Sequence, residues 1–263
     1  MGVRESSGSL SYALWDGKFA GYHVELCQHI IANLEKTVGK KLEVKYLPVT
    51  SQSRIPLIQN GTIDIECGST TNNTARQKEV SFAFTTYVEE VRIAVKADSG
   101  ITSIKQLHGR SVVTTAGTIS VQTLRKNELA KGLDFKELLG KDHAESFALL
   151  SEGRADAFVL DSSILASHIS KAPKPETFKI VGEVLSVEPI AIMMHKNNPV
   201  LKKLADETLK TLMKNGEIAR IYNRWFMLPI PPFNTRIGLF PNQSTFAAWG
   251  TPNDRPMEDY AQK

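Results

Sequence analysis

The chain has 263 residues, 41% hydrophobic and 23% charged, which is a globular composition with enough length for a real core and two lobes. Its net charge of +4 comes without any run of lysines or arginines, and acidic residues are interleaved throughout, so no nucleic-acid partner is expected while small anions are favoured. No stretch reaches the ~18 consecutive apolar residues that a transmembrane helix needs.

"GVRESS" opens with what reads as a first strand, and Arg4 follows it directly. Val24, Cys27, Ile30, Ile31, Leu34 and Val38 recur at helical spacing, and Gly39 ends that run. "KLEVKYLPV" alternates like a strand with Leu42, Val44 and Tyr46 on one face. "SRIPLIQNG" predicts a short helix closed by Gly61, and "TIDIEC" predicts the next strand. Helix, strand, helix, strand in that order argue for a mainly parallel α/β sheet.

"VEEVRIAVK" is strand-like and long enough to cross between lobes. "GRSVVTTAGTISVQTLRK" predicts strand, glycine-containing loop and helix, and "SFALLSEGRADAFVLDSS" predicts helix, turn and strand. Together these make a second α/β unit, and "VEPIAIMMHKN" is the strand that crosses back. The expected division is residues 1–90 with 186–263 as one discontinuous lobe and 91–185 as an inserted one. Asn198-Pro199 then starts a helix with a capping side chain and a proline at its first position. Leu201, Leu204, Ala205, Thr208 and Leu212 mark its inner face, and a second amphipathic segment runs to Trp225-Phe226. The proline-studded tail from "LPIPPFN" onward is expected to lie extended over the surface.

Open α/β sheets bind ligands beyond the carboxyl ends of their strands. The loops there hold Arg4, Ser51 and Arg54, then Ser69, Thr71 and Arg76; in the inserted unit they hold the "AGTIS" turn, His143 and Asp161. Each has an ordinary explanation as a helix cap or a solvated surface residue. As a set they call for negative charge, because three arginines would otherwise repel one another. Arg76 stands in a helix's first turn, where the dipole disfavours a cation, and backbone N–H groups at "AGTIS" form a ready anion seat. Arg76 with those amides can clamp one carboxylate; Arg4 and Arg54, with Ser51 and His143, can clamp a second. Asp161 can take a cation, shared with the Ser69 carbonyl and the Thr71 hydroxyl. Two carboxylates and one ammonium describe an acidic amino acid. Cys27 and Cys67 are the only cysteines, with no CxxC and no clustered histidines, so no zinc site or other cofactor is expected. Their spacing admits either a disulfide or two separate thiols.

The motifs "RESS", "TSQSRIPLIQNGTIDIECGSTTNNTARQK", "KDHAESF" and the tail's "LPIPP" and "TPND" resemble the periplasmic glutamate/aspartate-binding proteins of ABC transporters, across essentially the whole chain. The resemblance implies a two-lobed type II binding-protein fold with two hinge crossings. It implies a non-enzymatic monomer that delivers L-glutamate, and L-aspartate, to a membrane permease, and export behind a signal peptide. It assigns the α-carboxylate to the counterparts of Arg76 and Thr71 and to an amide near Ile119, and the ammonium to those of Asp161, Ser69 and Thr71. The side-chain carboxylate goes to the counterparts of Arg4, Ser51, Arg54 and His143. Where that family has two threonines after the loop glycine, this chain has Thr118-Ile119, which keeps a backbone contact and removes a hydroxyl. Ligand touching both lobes is expected to favour a closed state, with hinges near Val88–Arg92 and Leu185–Pro189. An amino-acid-binding-protein-like dehydratase is the first alternative, with His143 and Asp161 as its only candidate acids; the sensing domain of a larger receptor is the second.

Overall fold

The computed structural model describes residues 1–260, so the last three residues of the expected first lobe lie outside the described residues. The chain forms two compact units. The first comprises Met1–Val49, Ser53–Val88 and the stretch from Glu188 onward; the second comprises Thr50–Gln52 and Glu89–Val187.

In the first unit, strand β1 (Gly2–Val3) leads into a small antiparallel sheet of β2 (Ser6–Ser7), β3 (Ser11–Ala13) and β4 (Phe19–Ala20). Helix α1 (Tyr22–Val38) follows and ends where Gly39, at φ 72°, supplies the left-handed residue that returns its N–H to the Glu35 carbonyl. Then come β5 (Leu47–Pro48), α2 (Arg54–Gln59), β6 (Ile65–Glu66), α3 (Thr74–Gln77) and β7 (Val80–Phe82). The expected strand over "KLEVKYLPV" shrinks to two residues. The register Gly2↔Leu47 and Val3↔Pro48 gives only Leu47 and Pro48 a ladder partner, so alternation upstream of them buries Leu42 and Val44 only partly.

The chain leaves this unit within β8 (Tyr87–Lys96), between Val88 and Glu89. The second unit then adds β9 (Ser111–Thr115), α4 (Ile119–Lys131), β10 (Lys136–Gly140), α5 (His143–Ser151), β11 (Ala157–Asp161) and α6 (Ser162–Ser170). Its sheet runs β10-β9-β11-β8 and ends on β12 (Phe178–Ile190), in which the chain returns to the first unit after Val187. Both faces of this sheet are covered. Val91, Ile93, Val95, Val112 and Val159 join Leu124 of α4 in one core, while Ala94, Val113, Phe158 and Leu160 join Phe147 and Ile164 in another. Continuous apolar strands are the sequence sign of such burial.

The first unit closes with β13 (Met193–His195), α7 (Pro199–Lys214), α8 (Glu217–Tyr222) and α9 (Gln243–Gly250). Its sheet order is β5-β1-β6-β13-β7. The α/β class expected from the sequence holds, with one correction: both sheets are mixed, since β13 runs antiparallel to β6 and β7, and β8 antiparallel to β11. The Asn198 side chain caps α7 by accepting the Leu201 N–H, as its Asn-Pro start predicts. The extended tail is a second correction. Asn242 caps α9 through the Thr245 N–H, and the helix buries Ala248 and Trp249, the latter in the unit's main core. Trp249 Nε1 also donates to the Thr86 carbonyl at 2.7 Å, which is why the tail folds back instead of lying extended. Cys27 of α1 and Cys67 are joined by a disulfide.

Candidate functional site

Parallel strands end on one edge, so the residues that follow β1, β5 and β6 share that edge of the first unit. Arg4 follows β1, Arg54 begins α2 after β5, and the Ser69–Arg76 segment follows β6. Arg4 and Arg54 are 1% and 2% exposed, among the largest fully buried side chains in the protein. Burying a guanidinium is costly unless charge and hydrogen bonds compensate it. Both reach the Gly68–Ser69 turn: Arg54 Nη1 donates to the Ser69 carbonyl at 3.1 Å, and a Cβ on Gly68 would meet Arg4 Cγ at 2.7 Å and Glu66 Oε1 at 2.0 Å. Only glycine lets the turn lie so close to them.

The same segment is stitched along its length. Ser7 and Ser69 share a hydroxyl–hydroxyl bond of 2.9 Å, and Thr70 Oγ1 donates to Glu66 at 2.7 Å. Thr71 Oγ1 donates to Glu188 at 2.6 Å. Arg76 is the third residue of α3, its N–H accepted by the Asn73 side chain and its Nη1 donating to the Thr71 carbonyl at 2.9 Å. Because α3 is a single turn, its dipole is small, and a backbone carbonyl already meets the Arg76 cation. Arg76 is therefore held in place without help from a ligand anion at the end of α3.

His23 stands behind this segment. It is fully buried in α1, its Nδ1 hydrogen-bonded to the Gly68 carbonyl and its Nε2 to Thr86 Oγ1 at 2.6 Å. A carbonyl can only accept, so Nδ1 carries the proton. Burial pushes the imidazole pKa down to about 4, against the opposing bond to Gly68.

In the second unit β9, β10 and β11 are parallel, and the remaining predicted residues follow them. Gly117 has φ +80°, and a Cβ there would lie 2.7 Å from the Gln52 nitrogen and 2.8 Å from the Ser51 carbonyl carbon, so glycine is required at this approach. Ser51 Oγ is buried with no hydrogen-bond partner among the described residues. Thr118 precedes α4 without capping it by its side chain, donating to the Thr115 carbonyl at 2.7 Å instead. The first turn of α4 at Ile119 thus has the character of an anion seat. His143, 2% exposed, opens α5 and pairs through Nδ1 with Thr115 Oγ1 at 2.9 Å; the cap there is Asp142, which accepts the Glu145 N–H.

Asp161 ends β11 and occupies the N-cap position of α6, yet its carboxylate makes no cap bond. Glu89 of β8 does that work: Oε1 accepts the Ser163 N–H at 3.2 Å and the Ser162 hydroxyl at 2.8 Å, and Oε2 accepts the Ser163 hydroxyl. Burial pushes Glu89 up to about 6, opposed by these hydrogen bonds. Arg4, Arg54, Ser69, Thr71 and Arg76 are thus gathered in the first unit, and Ser51, Thr118, Ile119, His143 and Asp161 in the second. Sequence reasoning missed Glu89, Glu188 and His23. The signal for the two glutamates is an acid inside an apolar strand run, "VEEVRIAVK" and "VEPIAIMM".

Residues 1–228 match the family model of bacterial extracellular solute-binding proteins, family 3. The chain belongs to this family. A family 3 origin agrees with its curated relatives. The glutamate/aspartate import solute-binding protein of Salmonella typhimurium is 39% identical over 98% of this chain and 85% of its own length. The L-glutamate/L-aspartate-binding protein of Pseudomonas aeruginosa is 36% identical over 98% of this chain and 86% of its own. Among solved structures, a mutant of ArgBP from T. maritima superposes with a TM-score of 0.75 at 25% identity, over 85% of this chain and 93% of that one. The family 3 match stops at Leu228, ahead of α9.

Proposed function

We propose that the protein captures L-glutamate, and L-aspartate, without transforming it, and delivers it in the periplasm to the permease of an ABC transporter. The observation that carries this reading is the pair of buried arginines, Arg4 and Arg54, converging on one glycine-serine turn. A second carboxylate is what separates the two acidic amino acids from the other eighteen, and two guanidinium groups match it. Ser51 Oγ, buried without a partner among the described residues, and His143 complete that subsite. Arg76, the Thr71 N–H and the first turn of α4 at Ile119 take the α-carboxylate; Asp161, the Ser69 carbonyl and the Thr71 hydroxyl take the ammonium. Thr118 supports the turn through its bond to Thr115. The names of the relatives, each 36% or more identical across nearly the whole chain, support the same ligand class.

Calorimetric titration with all twenty amino acids tests it, after unfolding and refolding to remove carried-over ligand. Glutamate and aspartate are expected to bind far more tightly than glutamine or arginine. A preference for a neutral or basic amino acid would overturn the assignment. Unchanged prephenate and arogenate after incubation are the matching expectation for a protein that only binds.

A further inference from the structure

Thr71 is the proposed ligand contact whose hydroxyl proton has a fixed destination. Glu188, 1% exposed in β12, accepts that proton on Oε2 at 2.6 Å. A hydroxyl has a single proton and two lone pairs, so Thr71 Oγ1 can offer any further partner only lone pairs. The backbone around it leaves little freedom. Thr71 pairs with Ile190 in an antiparallel bridge, the Asn72 N–H donates to the Pro189 carbonyl at 2.9 Å, and the Ala191 N–H donates to the Thr70 carbonyl at 3.1 Å. Residues 189–191 therefore hold the position of Thr71, and Glu188 holds the direction of its O–H bond. The Thr71 carbonyl is meanwhile engaged by Arg76 Nη1.

We propose that Glu188 is a positioning residue that sets the polarity of the α-substituent subsite: by taking the Thr71 proton, it makes Oγ1 an obligate acceptor. Such an atom suits an ammonium, which only donates, and gives nothing to a group that needs a donor. This rests on the reading that the ligand ammonium lies at Thr71. A hydroxyl spent on Glu188 cannot also donate to the α-carboxylate, so of the two contacts expected of Thr71 only its N–H remains for that group. A purely structural role for Glu188 would lower affinity without altering which substituent is preferred.

The test compares L-glutamate with L-2-hydroxyglutarate, whose α-hydroxyl can accept as well as donate, by calorimetry on E188L, E188Q, T71V and the double variant E188L/T71V. Thermal melts identify the folded variants. In E188L the Thr71 proton is released, so the preference for glutamate over the hydroxy acid is expected to narrow at least tenfold. E188Q, whose amide oxygen still accepts, is expected to fall between E188L and the parent, and it keeps the test intact if E188L does not fold. T71V is expected to narrow the preference too, and adding E188L to it should change nothing further, since one residue acts through the other. Equal losses for both ligands in the Glu188 variants, or an undiminished E188L effect in the T71V background, would overturn the role of Glu188 alone. T71V binding glutamate as the parent does would overturn it together with the placement of the ammonium.

Discussion

Glu89 Oε1 accepts the backbone N–H of Ser163 at 3.2 Å and so caps α6 from β8, a strand distant in sequence. Asp161, at the position where a cap side chain would normally sit, does not perform that task. The roles of the two carboxylates can be separated by mutation. Asp161→Asn is expected to leave the melting temperature near that of the parent while weakening glutamate and aspartate alike by ~2–5 kcal/mol, the range for truncating one partner of a buried charge pair. Calorimetry beside a thermal melt gives both numbers. A large fall in melting temperature with intact affinity would return Asp161 to an ordinary structural part.

Arg54 is nearly fully buried and bonded to the Ser69 carbonyl, and the proposed assignment gives its guanidinium to the second carboxylate. Arg54→Ala is expected to weaken glutamate by ~2–5 kcal/mol, with glutamine gaining relative to it. A glutamate-to-glutamine ratio equal to the parent's would remove Arg54 from the specificity subsite.

His23 and Glu89, buried groups shifted within the acid range, act on stability in opposite directions. His23, pushed down to about 4 from an ordinary 6.5, is neutral in the folded protein where the unfolded chain is already protonated. Its contribution is complete above 6.5 and is lost as pH falls toward 4, up to about 3 kcal/mol at ~1.36 kcal/mol per unit. Glu89, pushed up from 4.5 to about 6, contributes most below 4.5 and loses up to about 2 kcal/mol as pH rises to 6. The two slopes offset each other between pH 4.5 and 6. Glu89→Gln is therefore expected to steepen the acid loss of stability in that window, measured as urea midpoints at half-unit pH steps. Parallel curves for variant and parent would mean that Glu89 does not titrate there.

The Cys27–Cys67 disulfide closes a loop with a sequence separation of 40. Chain entropy for such a loop corresponds to about 4 kcal/mol lost on reduction. Denaturant unfolding with and without reductant measures it, and coincident midpoints would place the stabilisation elsewhere. The bond joins α1 to the end of β6, one residue before the Gly68–Ser69 turn, so reduction is also expected to loosen ligand binding.

The α/β order, the Asn-Pro start of α7 and the strand-end loops were legible because each is local: a period, a cap, a residue just after an apolar run. Strand lengths were not legible. "KLEVKYLPV" alternates over nine residues, yet its ladder is limited by a two-residue partner strand. Helix α9 was masked by the prolines around it, although Asn242 with Thr245 three residues on is a cap signal. At the site, the motif residues could be named, but their support could not. Glu188 meets Thr71 across 117 positions and Glu89 meets Ser163 across 74, and no local pattern encodes a pairing over that distance.

Helix α9 also holds the end of the first unit's outgoing strand. The Thr245 hydroxyl accepts the Val88 N–H at 3.0 Å, and Asn242 Nδ2 donates to the Val88 carbonyl at 2.8 Å. Both polar groups of that peptide position are thus clamped at the last residue before the chain passes on, by side chains lying beyond residues 1–228, the range that matches the family model. The α9 segment is thereby a place where the end of this strand can be stiffened or loosened from outside the residues that match the family model.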